Sequence, residues 1–116
     1  MNNEYIYRRN TDEARARLTR ALVCFTFNVK ENDLAAATRR NAKVAFARQI
    51  AMYLAHVAFE LSLSRVASAF GRDRTTVSHA CHLIEDRRDD PGFDLQLEGL
   101  ERVLRELPEP QWQTVG

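Results

Sequence analysis

Apolar residues recur along the chain at intervals of three and four, and no stretch alternates cleanly between apolar and polar. That period predicts helices rather than strands. In "TDEARARLTRALVCFTFNV", Thr11 is placed as an N-cap, with Asp12 and Glu13 in the first turn. The apolar face predicted for this helix is Leu18, Leu22, Phe25 and Val29. A short element is expected around Asp33–Thr38, followed by the basic linker "RRNAK". A long helix rich in Ala, Met and Leu then runs from Val44 to Leu61. Ser62 caps a short helix, Leu63–Phe70, which Gly71 ends. Asp73 is a suitable cap for a further helix reaching about Arg88, and "DDPG" marks a turn. "FDLQLEGLERVLREL" carries Phe93, Leu97, Leu100, Leu104 and Leu107 on one face. The expectation is an all-α fold of about six helices over residues 11–107. Residues 1–10 and 108–116 are read as tails.

The two short helices on either side of Gly71 have helix-turn-helix spacing. Ala67 is small where the helices would cross, and Gly71 stands where a positive φ is wanted. Val77 falls on the inner face of the second helix, with Val66, Phe70, Ala80, Cys81 and Ile84 filling the other inward positions. The outer face is then Arg72, Arg74, Thr75, Ser78, His79 and His82. Threonine is a mediocre helix former, so Arg, Asp and two threonines at a helix start are poorly chosen for helix stability. They suit a different task. Arginine can grip guanine with two hydrogen bonds, a threonine methyl packs on thymine, and a helix N-terminus favours phosphate. A recognition helix sets such N-terminal residues against base edges in the major groove. The competing reading is an ordinary capped surface helix, with Asp73 as cap and Thr76 at its third position.

Charge sharpens the picture because a net +1 conceals an asymmetry. Residues 1–48 hold ten Lys/Arg and five Asp/Glu, residues 49–88 five and four, and residues 89–116 two and seven. A basic front with an acidic back fits a polyanion partner on one side. The 116 residues suffice for one domain with a single core. No apolar run approaches the roughly 20 residues that cross a bilayer, and the start lacks a signal-peptide core. Cys24 and Cys81 form no close pair. The expected setting is a reduced cytoplasm, with no membrane partner.

The stretch "RQIAMYLAHVAFELSLSRVASAFGRDRTTVSHACHLIE", Arg48 to Glu85, resembles the C-terminal DNA-binding domain of the bacterial replication initiator DnaA. The "GRD-TTV-HA" core carries the resemblance, which extends over roughly Leu18 to Leu107. It implies roles for individual residues. Arg40, in the basic loop that also holds Arg39 and Lys43, matches an arginine that enters the minor groove. Arg48 and Gln49 match DNA contacts at the start of the long helix. Ser62 matches a phosphate-binding serine that also caps its helix. Arg72, Asp73, Thr75, Thr76 and His79 match the recognition element. Three departures accompany these matches. One glycine, Gly71, stands where the family has two, Arg74 replaces a histidine, and His56 replaces a lysine. No "GxxxxGK[ST]" phosphate loop occurs, so no nucleotide partner is expected.

Other chemistry is weakly signalled. His79 and His82 are three apart, but no second ligand pair has zinc-site spacing, so no metal or other cofactor is expected. No nucleophile–base pairing points to an enzyme. Leu22, Phe25 and Phe27 give the first helix more apolar surface than one face needs. Core packing is one reading of this surplus and a homodimer through that helix is the other. The function expected is sequence-specific binding of double-stranded DNA, as a bacterial transcriptional regulator. Regulation of replication at initiator boxes is the alternative. A protein adaptor retaining the fold is a third reading, against which the basic loop Arg39–Lys43 argues.

Overall fold

A computed structural model describes residues 3–35 and 41–109. Six helices are present among them: α1 (Asn3–Phe27), α2 (Glu31–Ala35), α3 (Ala42–Ala58), α4 (Leu63–Phe70), α5 (Arg74–Arg87) and α6 (Pro91–Arg105). The expected all-α class therefore holds. None of these helices is long and apolar enough to cross a membrane.

α3 is the central element. Its Ile50, Ala51, Met52, Leu54 and Ala55 are all but inaccessible, because α1, α4, α5 and α6 pack around it. One part of the core joins Val23, Leu34, Ile50, Leu54, Ile84, Leu97 and Leu104. The other joins Met52, Leu61, Val66, Val77 and Ala80, and it fixes α4 and α5 on α3. Caps set the boundaries. Asn41 accepts a hydrogen bond from Val44 N at 2.9 Å, Ser62 from Arg65 N at 3.2 Å, and Asp90 from Phe93 N at 2.9 Å.

α1 departs from the sequence expectation. It begins at Asn3, so residues 3–10 are helical rather than tail, and Thr11 is an interior residue whose hydroxyl donates to Tyr7 O at 2.9 Å. Its inward face is Asp12, Ala16, Thr19, Val23 and Cys24, whereas Leu18 and Phe25 point to solvent, Phe25 being 87% exposed. The polar members of the inward face are satisfied locally. Asp12 accepts two hydrogen bonds from Arg65 of α4, at 2.9 and 2.7 Å, and the Thr19 hydroxyl donates to Arg15 O at 2.7 Å. A buried polar group with its partners in place costs little, so this face can turn inward in place of the more apolar one.

A second polar cluster ties α6 to the centre. Arg88 donates to Asp94 at 2.5 Å, to the Tyr53 hydroxyl at 3.0 Å and to Glu101, while Tyr53 donates to Glu85 at 2.7 Å. Burial first, and the bond to Glu85 second, push the Tyr53 phenol up to about 12.

Candidate nucleic-acid interface

α4 and α5 form the helix-turn-helix. Gly71 adopts φ 65° and ψ 39°, the left-handed conformation expected of it. Arg72 N then reaches back to Ala67 O at 2.9 Å and closes the end of α4. An added Cβ at Gly71 would meet nothing within 4 Å, so the requirement for glycine lies in φ and not in space. Val66, Ala67, Val77, Ala80 and Ile84 are buried as the spacing implied.

The outward face of α5 is also where the sequence put it. Arg74, Thr75, His79 and His82 are exposed, Arg72 and Ser78 are partly so, and Thr76, outside that expected face, is exposed beside them. Asp73 occupies the N-cap position by its backbone, φ −74° and ψ 149°, yet its carboxylate makes no capping hydrogen bond. An aspartate kept purely to cap would accept from an N–H of the first turn. Its oxygens stay available at the start of the helix instead.

These residues open onto a groove of about 670 Å³ between α5 and the first half of α3. Gln49 and Met52 supply one wall, and Arg72, Thr75, Thr76 and His79 the other. Lys43 is exposed on the first turn of α3, and Ser62 is exposed at the start of α4. Arg39 and Arg40 lie outside the described residues.

Arg48 stands differently from its expected neighbours. It borders the groove but is only 8% exposed. Its Nε donates to Leu34 O at 3.1 Å and its Nη2 to Asp33 O at 3.4 Å, both in α2. The guanidinium thus satisfies carbonyls of α2 and brings positive charge under the groove floor. Arg20 went unnoticed in the sequence. It lines a second depression of about 350 Å³ together with Arg48, Ser68, Gly71 and Arg72, and it lies over the Phe70 ring at 5.1 Å. Burial first, then the neighbouring Arg17, lowers its pKa. The period mark was available: Arg20 lies four residues after Ala16 on the edge of the inward face, a position visible only once that face is phased correctly.

His56 contributes in another way. Its Nδ1 lies 2.6 Å from Leu61 O. A carbonyl only accepts, so Nδ1 carries the hydrogen, and the ring closes the turn between α3 and α4. Cys81 lies on the inner side of α5, its thiol pushed up to about 11 by burial and then by Glu85.

A left-handed glycine between two short crossed helices, with arginine, threonine and histidine on the outer face of the second, defines a helix-turn-helix domain. Residues 19–84 match the family model described as the bacterial dnaA protein helix-turn-helix, and the chain belongs to that family. It is 35% identical over 96 residues to the chromosomal replication initiator proteins DnaA of Caldanaerobacter subterraneus subsp. tengcongensis and of Thermoanaerobacter sp. strain X514. The matched part is 82% of this chain and 21% of each relative, so the chain spans about a fifth of their length. Two solved structures agree in fold. One is a DNA replication initiation factor (TM-score 0.74, 30% identity, 89% of this chain and 31% of that one). The other is a replication initiator DnaA bound to AMPPCP and single-stranded DNA (TM-score 0.74, 26% identity, 90% and 32%).

Proposed function

We propose that the chain binds double-stranded DNA in a sequence-dependent way through α5 and regulates transcription at the sites it selects. The observation that carries the reading is the outer face of α5. Arg74, Thr75, Thr76 and His79 are exposed there beside an Asp73 carboxylate that is not used as a cap. In this reading α5 enters the major groove. Arg74 reaches O6 and N7 of a guanine, and Thr75 and Thr76 face thymine methyl groups or phosphate. Asp73, Ser78 and His79 border the same bases. Arg72, Gln49, Lys43 and the Ser62 end of α4 hold the backbone, Arg40 enters the adjacent minor groove as the family resemblance implies, and Arg39 adds charge in the same basic loop. Arg48 serves from below, as a charge rather than a direct contact.

The experiment is duplex binding measured over a range of salt. With about four phosphate contacts, log affinity against log salt should have a slope of about −3 to −4. Arg40→Ala should flatten it by about one unit. No binding to any duplex at ~50 mM salt would overturn the reading in favour of a protein adaptor. Regulation of replication is a second reading, favoured by the 35% identity to chromosomal initiators. Sites mapped in cells separate the two. Promoter occupancy supports the first, and occupancy confined to a replication origin supports the second.

A further inference from the structure

The solvent face of α1 carries a regular pattern of its own. Tyr7, Thr11, Ala14, Leu18, Ala21 and Phe25 follow one another at alternating intervals of four and three. That is the 3.5-residue repeat of a helix that packs along another helix. None of the six is charged and none is buried, Leu18 being 46% exposed and Phe25 87%. Bulky and small residues alternate along the central part: Ala14, Leu18, Ala21, Phe25.

We propose that this face is the interface with a second copy of the chain, the two α1 helices lying antiparallel. The argument is one of self-complementarity. In the antiparallel register that sets Leu18 against the partner's Ala21, Phe25 falls against the partner's Ala14, and the two-fold axis repeats both pairings. Leu18 and Phe25 then each meet an alanine, while Tyr7 and Thr11 fall beyond the paired length of the two helices. The charges agree with this register: Arg15 and Arg17 come level with the partner's Cys24 and Leu22, so no arginine opposes another. A parallel pair would instead set Phe25 on Phe25 and Ala14 on Ala14 and leave gaps between the alanines.

The structure also provides room for the incoming ring. Ala14, Leu18 and Ala21 line a cleft of about 820 Å³ whose far wall is Phe59, Leu107 and Pro108, with charged residues, among them Arg15, Arg17 and Glu109, at its rim. Phe25 of the partner, directed at Ala14, enters it. The contact is a single helix pair, at the small end of specific interfaces and below about 1,200 Å². So small a contact should dissociate on dilution. The paired face of α1 lies opposite the face that packs on α3 and α4, so both readers stay free. On the DNA-binding reading above, a two-fold dimer selects inverted repeats.

Sedimentation equilibrium without DNA tests the interface, with circular dichroism and thermal unfolding as folding controls. The wild type should dimerise, and Phe25→Ala and Ala14→Phe should each be folded monomers. The double variant Ala14→Phe/Phe25→Ala exchanges large for small at both ends and should recover the dimer. A wild type that is monomeric at the highest soluble concentration overturns the proposal. So do single variants that dimerise like the wild type, or a double variant that stays monomeric. A monomer that still binds duplex DNA overturns the dimer alone, and a dimer that binds no duplex overturns the DNA reading alone.

Discussion

Arg48→Ala separates a residue that holds the fold from one that holds DNA. In the structure its Nε–H donates to Leu34 O at 3.1 Å, and the Nη2 contact with Asp33 O at 3.4 Å is at the outer limit of a hydrogen bond. Only the first is counted at full strength. A hydrogen bond to a charged donor contributes about 1.5–3 kcal/mol, and a carbonyl left unsatisfied in a buried place costs about 1–3 kcal/mol of the same order. Leu34 is 2% exposed, so its carbonyl has little water to turn to. With the loss of the packed stem, Arg48→Ala should destabilise the fold by about 3 kcal/mol. Urea unfolding is the assay. At about 1–3 kcal/mol per molar urea, the midpoint should fall by roughly 1 M or more. The DNA measurement completes the test. At a temperature where the variant is folded, affinity should drop while the salt slope keeps its value. A buried arginine releases no counterion, whereas a phosphate contact is worth about one unit of slope. A stability change under about 0.5 kcal/mol with the slope reduced by about one unit would refute the reasoning and make Arg48 a phosphate ligand.

Other outcomes follow from the same packing. Arg88→Met leaves the Glu101 side chain, 10% exposed, with only the more exposed Arg105 at 3.2 Å, and should cost about 3 kcal/mol in a urea titration. Arg88→Met/Glu101→Leu should recover most of that loss. Cys81 and Tyr53 are neutral when protonated, and their folded pKa values, about 11 and about 12, exceed the ordinary 9.0 and 10.0. The stability they contribute is therefore complete below about pH 9 and lost as pH rises through 11 to 12. Tyr53→Phe should flatten the upper part of that decline, and iodoacetamide should label Cys81 slowly at pH 9. Glu60 holds φ at 55°, so Glu60→Gly should raise the thermal midpoint by relieving a left-handed residue, a gain of about 1 kcal/mol.

The helix-turn-helix was legible because its signals are local. Gly71 needs a left-handed φ, Ser62 sits at a cap, and Val66, Val77 and Ile84 keep helical spacing. α1 was misread because periodicity weighs side chains by their own polarity. Asp12 turns inward only because Arg65, fifty-three positions away, meets it, and no window along the chain contains that pair. Of the face expected from spacing, Val29 is buried and Leu22 packs partly against the core, whereas Leu18 and Phe25 lie on the solvent side. Arg48 follows the same logic. Its place at the start of α3 was visible, but its bond to Leu34 O depends on how α2 folds back.

The central claim is that the outer face of α5 reads base sequence, and selection of bound duplexes from a random library tests it most directly. The wild type should yield one defined motif containing a guanine under Arg74. Arg74→Ala should lose about 1–3 kcal/mol on the best site and blur that single position, while Arg74→His should shift the preference there. Profiles of the wild type and both variants that are indistinguishable, or a uniform loss on every sequence, would contradict the account and leave Arg74 as a phosphate contact.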